Sequence, residues 1–323
     1  MTDLPRKMLP PTPPDAAAEA AAIVGVDWGS THRRVMALDA QGRLLREFAD
    51  DEGMLRAAGR FAAALATALD RVGPLAPRAR VLLSGMVGSA QGWHEVPYLD
   101  TAVPLDALPM RLFRVPDGPP DLDCRIVPGY RWRGEDGAVD VMRGEETQLL
   151  GAVARGRRDG CFVLPGTHSK WVRLRDGRIE RFATYLTGEL FALLSQHGTL
   201  APLLREGGND DGAFADGVRE GARSALSNAL FGCRARVVAG DLPKASARDY
   251  LSGLLIGAEW HDACGRAAGE RAQVHLIGAP ELARRYRRAG ELLGASVVTL
   301  PADEMQLAAW PALAPARGTA SFV

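Results

Sequence analysis

The chain has 323 residues, room for two domains of ordinary size, and is 47% hydrophobic and 24% charged, as soluble globular proteins are. Lys plus Arg (39) equals Asp plus Glu (39), which argues against a dedicated nucleic-acid or anionic-membrane binder. Four cysteines without C-x-x-C spacing, and no apolar run of spanning length, point to a reducing compartment, no structural zinc and no membrane helix.

Residues 1–22 are proline-rich, then alanine-rich, and lack the apolar core of a signal peptide; they read as a disordered extension, with the cytoplasm as the expected location. The apolar run Ile23-Val24-Gly25-Val26 ends on Asp27, and Trp28-Gly29-Ser30-Thr31 follows as a turn. Gly29 lets the turn's backbone N–H groups approach phosphate oxygens, and Ser30 and Thr31 add hydroxyls. Asp27 stands where it would hold Mg²⁺ directly or through water. An Asp-x-Gly turn also builds ordinary hairpins, so this stretch alone leaves both readings open. Strands are expected over 24–27, 33–38 and 43–48, with a turn at Asp39-Ala40-Gln41-Gly42. Such a meander disfavours P-loop and Rossmann folds, whose phosphate loops run into a helix.

A helix is expected over 54–69 and a buried strand over 80–83. Ser84 to Tyr98 then interleaves Gly85, Gly88 and Gly92 with Ser89, Gln91, Trp93, His94 and Tyr98. Aromatic faces would cover the C–H surface of a hydroxylated ligand while Ser89 and backbone groups take its hydroxyls. The competing reading is a plain Gly-rich loop with Trp93 in the core. A Pro-rich linker (117–121) and a short strand (125–127) lead to Met142-Arg143-Gly144-Glu145-Glu146-Thr147, a turn opening a helix. Glu145 and Glu146 either complement the helix dipole or put a general base into a cleft.

Cys161 to Leu174 is again strand, Gly-Thr turn, strand, and Asp176-Gly177 turns into a third strand over 178–182. Thr31, His32 and Arg34 recur as Thr167, His168 and Lys170 at one constant offset. Duplication of a whole supersecondary unit is far less expected by chance than either copy alone. Two facing hairpins would grip the phosphates of one nucleotide, with Gly29, Ser30 and Thr31 on one side and Gly166, Thr167 and His168 on the other. Arg34 and Lys170 would spread charge over the transferring phosphoryl group. Further helices are expected over 187–195 (capped by Thr187), 211–231, 244–264, 281–292 and 302–313, and strands over 274–277 and 296–300. Gly278-Ala279-Pro280 is either an ordinary strand-to-helix turn or a corner against which adenine and ribose lie.

These pieces resemble the 2-dehydro-3-deoxygalactonokinase family of the actin–hexokinase superfamily. The likeness is carried by Asp27 to Thr31 with Arg34, Gly85 to Ser89 with Gly92-Trp93 and Pro97-Tyr98, Met142 to Leu149, Pro165 to His168 with Lys170-Trp171, Thr187 to Leu190, and Leu251 to Glu259. It implies an α/β fold: two ribonuclease-H-like (actin-like ATPase) domains with mixed sheets around a central cleft, at 23–140 and 141–323. It also implies ATP- and Mg²⁺-dependent phosphorylation of the 6-hydroxyl of 2-dehydro-3-deoxy-D-galactonate in galactonate breakdown. The partners are then a sugar acid and ATP, without nucleic acid or membrane, and a homodimer is compatible with these features.

Related sugar kinases place their base in a Gly-Asp-Gln setting, and the nearest match here is Gly144-Glu145-Glu146; Glu145 is the preferred base and Glu146 the alternative. A cation or a nest of N–H groups must take the substrate's carboxylate. Arg143 and the Gly88-Ser89 backbone are expected there, Trp93 and Tyr98 beside the sugar, and Gly278 and Ala279 near adenosine. Trp310 to Val323 shows no match to the family. A kinase for another sugar or sugar acid, and a non-catalytic actin-like ATP-binding protein, stay open as alternatives.

Overall fold

The computed structural model describes residues 19–205, 207, 209–266 and 273–314. Most of the expected N-terminal extension, residues 1–18, and the chain end beyond 314 lie outside them.

The first meander consists of β1 (Ala21–Trp28), β2 (Arg33–Leu38) and β3 (Leu44–Asp50), with Asp27 opposite Arg34. The Asp39 carboxylate accepts the N–H groups of Gln41 and Arg43 and so closes the second turn. The single helix expected next is two, α1 (Met54–Ala57) and α2 (Phe61–Val72), broken where Gly59 takes φ +74°. β4 (Leu75–Gly85) then lies parallel to β1. Five short strands follow: β5 (Leu99–Asp100), β6 (Phe113–Arg114), β7 (Asp123–Ile126), β8 (Tyr130–Arg133) and β9 (Val139–Met142).

α3 (Glu145–Ala154) leads to the second meander, β10 (Gly160–Leu164), β11 (Ser169–Arg175) and β12 (Arg178–Tyr185). The helix expected from Thr187 is α4 (Thr187–Gln196), but the Thr187 hydroxyl does not cap it and instead donates to Glu259. The long helix expected over 211–231 is broken as well. Extended backbone at Ser224 and Ala225 separates α5 (Asp211–Arg223) from α6 (Leu226–Ala239). The chain closes with α7 (Ala247–Arg266), β13 (Val274–Gly278), α8 (Pro280–Leu292), β14 (Val297–Pro301) and α9 (Ala302–Leu313).

The strand orders repeat: β3-β2-β1-β4-β7, with β6 added at the edge, and β12-β11-β10-β13-β14. Each is an antiparallel meander continued by two parallel strands, the ribonuclease-H-like arrangement, present twice. A third sheet, β5-β8-β9, was not expected. It is tied to the second meander by Asp140, whose carboxylate accepts the N–H and hydroxyl of Thr184 at 2.6 and 2.7 Å.

Strand alternation sends Ile23, Met36, Leu38 and Leu82 to one face and Val24, Val26, Trp28 and Val35 to the other. The first set joins Phe162, Leu164, Val172 and Ile277 of the second sheet in a single core filled by α3 and α9. The opposite faces are covered by α1 and α2 in one half and by α5, α7 and α8 in the other. The two meander tips therefore open onto one seam. Trp310 is fully buried there against Gly25.

Small residues set the helix spacing, as expected for the 254–259 run: a Cβ on Gly257 would stand 2.2 Å from the Val218 carbonyl oxygen of α5. The contact of α3 with α9 is tighter still, since a Cβ on Gly151 would meet the Met305 carbonyl oxygen at 1.8 Å. Backbone cannot swing aside as a side chain can. Gly151→Ala is expected to destabilise the protein by about 1–3 kcal/mol, seen as a Tm lowered by several degrees. Melting at the wild-type temperature would contradict this contact.

Candidate active site

The site is assembled where α3 begins. Asp27 shares its sheet face with Ser84, and the Ser84 hydroxyl lies 2.6 Å from that of Thr147 on α3. Two glycines admit the helix start to this spot. Gly85 (φ +91°) and Gly144 (φ +110°) hold left-handed conformations that side chains resist, and a Cβ on Gly144 would lie 3.4 Å from the Gly85 Cα. Neither glycine was singled out as structural from the sequence, although each stands beside a motif that was.

Glu145 is 24% exposed; its Oε1 is 3.4 Å from the Lys170 ammonium of β11, and its Oε2 accepts the Arg143 N–H at 3.1 Å. The Lys170 contact joins the second meander to the helix that caps the first. Burial, then the charge of Glu145, pushes the Asp27 carboxyl up to about 6, partly offset by Arg34. Glu146 faces the core: Oε2 accepts the Gly144 N–H at 2.7 Å, and Oε1 has no partner. Burial first and Glu145 second push its carboxyl up to about 8. The adjacent glutamates are thus separated, one toward the cleft and one beneath it. Among the described residues no three His, Cys, Asp or Glu side chains form a metal cage. One carboxylate plus phosphate oxygens and water is how Mg²⁺ is usually held.

In the first hairpin Ser30 and Thr31 are exposed, and α1 steadies the turn through Met54 N–H to the Gly29 carbonyl and Leu55 N–H to that of Ser30. Arg34, read as a free phosphate cation, is already paired with Glu47 at 3.1 Å and approaches Asp303 at 4.0 Å. In the second hairpin Thr167 is exposed, and His168 meets Glu189 at 2.6 Å. The start of α4 packs onto that turn, where a Cβ on Gly188 would stand 2.3 Å from the Gly166 carbonyl oxygen. Beside it opens a cavity of about 370 Å³, lined by Gly166, Thr187, Phe191, Leu255, Ala279 and Tyr286 among others. Ala279 therefore lines a pocket next to the second hairpin, while Gly278 packs behind it on Pro165.

The glycine-rich loop divides. Trp93 stacks on Phe61 of α2 at 6.2 Å and donates its indole N–H to Asp117, so it packs with the outer core and not in the cleft. Gly88, Tyr98 and Arg143 stay together. The Arg143 guanidinium lies under the Tyr98 ring at 4.3 Å and donates to the Val96 carbonyl at 2.6 Å. It lies close over Gly88, where a Cβ would be 2.9 Å from Nη1. Arg143 Nε and Nη1 and Ser89 Oγ are buried without partners.

A family model described as 2-keto-3-deoxy-galactonokinase matches residues 27–312. A relative from Rhizobium meliloti (strain 1021) that carries the name 2-dehydro-3-deoxygalactonokinase is 39% identical over 300 residues, covering 88% of this chain and 94% of the relative. The 2-dehydro-3-deoxygalactonokinase of Escherichia coli (strain K12) is 34% identical over 284 residues, with the same coverage. A crystal structure from Sinorhizobium meliloti, described under the same activity, superposes with a TM-score of 0.83 at 36% identity, over 93% of this chain and 98% of that one.

The buried acid at 146 gives a pH test. Its folded value, about 8, lies above the ordinary 4.5, so the stability it contributes is complete below the unfolded value and is lost as pH rises through about 8. Glu146→Gln removes that dependence. Without ligands, variant and wild type should melt close together near pH ~5, and the variant should melt higher near pH ~9. A gap independent of pH would show that the carboxyl titrates normally.

Proposed function

The chain belongs to the 2-keto-3-deoxy-galactonokinase family and is a sugar-acid kinase with an alcohol group as phosphoryl acceptor; we propose which residues carry that reaction. ATP is the phosphoryl donor, and the acceptor is the 6-hydroxyl of 2-dehydro-3-deoxy-D-galactonate. Neither a different sugar nor a non-catalytic ATP-binding role is favoured by the family. Residues 23–140 and 141–323 serve as the two lobes that hold the substrates between them.

The observation that carries the assignment is the Lys170–Glu145 contact, because it unites hairpin cation and helix-start carboxylate at the seam. Glu145, in the cleft, is the base that accepts the sugar hydroxyl's proton. Glu146, buried and largely neutral near pH ~7, is unsuited to that task. Lys170 moves from Glu145 to the γ-phosphate as ATP enters, which neutralises charge there and leaves a carboxylate oxygen for the hydroxyl. Ser30, Thr31, Gly166 and Thr167 hold the phosphates. Arg34, engaged by Glu47, acts on Asp27 more than on the phosphoryl group. Asp27, raised by burial and a like charge, suits Mg²⁺, which when bound supplies charge neutralisation between the phosphates. The cavity holding Ala279 takes the nucleoside.

The substrate's carboxylate goes to Arg143. A buried donor without an acceptor costs about 1–3 kcal/mol, and Arg143 keeps two such nitrogens, Nε and Nη1. A carboxylate satisfies them once the Tyr98 ring shifts.

Purified Asp27→Asn should fold normally and lose ATP-dependent phosphorylation of the sugar acid by about a thousandfold, measured by coupled ADP release. A wild-type rate would remove Asp27 from the chemistry. For Arg143→Gln, KM for the sugar acid should rise roughly 10–100-fold while KM for ATP stays put. Equal changes in both constants would mean that Arg143 only maintains the fold.

A further inference from the structure

Beneath the nucleoside cavity lies a carboxylate that phosphoryl transfer does not use. Glu259 of α7 is 3% exposed and follows the apolar and small residues Leu254 to Ala258. Donors from three other elements converge on it. The Trp171 indole N–H of β11 donates to Oε1 at 2.7 Å, the Tyr286 hydroxyl of α8 donates to Oε2 at 2.6 Å, and the Thr187 hydroxyl of α4 donates to Oε2 as well. The Ser169 hydroxyl lies 3.1 Å from that of Tyr286 and so supports this donor. All three donors are uncharged, and burial keeps this carboxyl above the ordinary glutamate value despite them.

Isolating a carboxyl from water without a cation is costly, and packing three elements together does not require one. What distinguishes these donors is what else they touch. Thr187 and Tyr286 line the cavity. Ser169 directly follows the exposed Thr167-His168 turn. Thr187 precedes Gly188, which packs on Gly166 and Thr167, and the N–H of Glu189 donates to the Thr167 carbonyl. One acceptor therefore fixes the return strand of the second hairpin, the start of α4 and one wall of the cavity.

We infer that Glu259 is a positioning residue for the nucleotide, holding the second phosphate hairpin and the Tyr286 wall in the arrangement that accepts a nucleoside polyphosphate. The inference rests on reading the adjoining cavity as the nucleoside pocket. A glutamine at 259 would keep the volume, but its single carbonyl oxygen has two lone pairs for these three donors. Some of the donors must then turn elsewhere, and two of them are cavity-lining groups.

The test is titration of Glu259→Gln with a fluorescent ADP derivative, alongside steady-state kinetics and far-UV circular dichroism. The Kd for the ADP derivative and KM for ATP should both rise roughly tenfold, with KM for the sugar acid unchanged. Tyr286→Phe removes one donor and keeps the ring, so it should move the same two constants in the same direction, by less. It also carries the test if Glu259→Gln does not fold. Nucleotide constants unchanged in the folded variants, or ATP and sugar-acid constants moving together, would overturn the inference. A wild-type protein that fails to bind the ADP derivative would overturn the pocket reading instead.

Discussion

The buried hydroxyl pair of Ser84 and Thr147, 2.6 Å apart, ties the first turn of α3 to the tip of β4, and the cleft depends on this tie. It works only because Gly85 and Gly144 both adopt left-handed backbone and let the two segments meet. From that junction Glu145 points toward Lys170 and Glu146 into the core. Further along α3, Gly151 presses on the Met305 carbonyl of α9, and α9 places Trp310 against Gly25 of β1. One helix thus locks onto the first sheet, and the core around it is shared with the second.

The same packing concentrates acidity. Asp27, Glu145 and Glu146 gather at one end of the seam with Lys170 as the close ammonium partner of Glu145, and two of the three carboxyls sit well above their ordinary values. A fold selected only for stability would not gather like charges out of water. Perturbed carboxyls gathered in this way are a mark of functional sites, which is what the proposed reading makes of them. Arg34, by contrast, is drawn toward Glu47 on β3, which leaves the two hairpins unequal in a way that the matched spacing of Arg34 and Lys170 conceals.

Much of the scaffold was legible because it rests on local patterns. Alternating apolar residues and Asp-x-Gly or Gly-Thr turns gave both meanders, and their repetition gave the doubled architecture. The third sheet was not legible: β5, β8 and β9 are two to four residues long, too short to show periodicity. The break between α5 and α6 was hidden because Ser224 and Ala225 carry no strong breaker signal. In the site, the hairpins and the glutamate pair were visible as motifs, whereas the partners of each side chain were not. Trp93 illustrates this, since its aromatic face suited a sugar as well as it suits Phe61. Glu259 carries a signal of its own: a carboxylate that ends the apolar and small-residue run Leu254 to Ala258 needs a buried partner set.

In the proposed mechanism the helix start separates two neighbouring glutamates into a base in the cleft and a neutral acid beneath it. Comparing kcat for Glu145→Gln and Glu146→Gln at saturating ATP and sugar acid tests this most directly. The expected loss is about 10²–10⁴-fold for Glu145→Gln and no more than about tenfold for Glu146→Gln. The reverse order, or a Glu145→Gln enzyme near the wild-type rate, would contradict it.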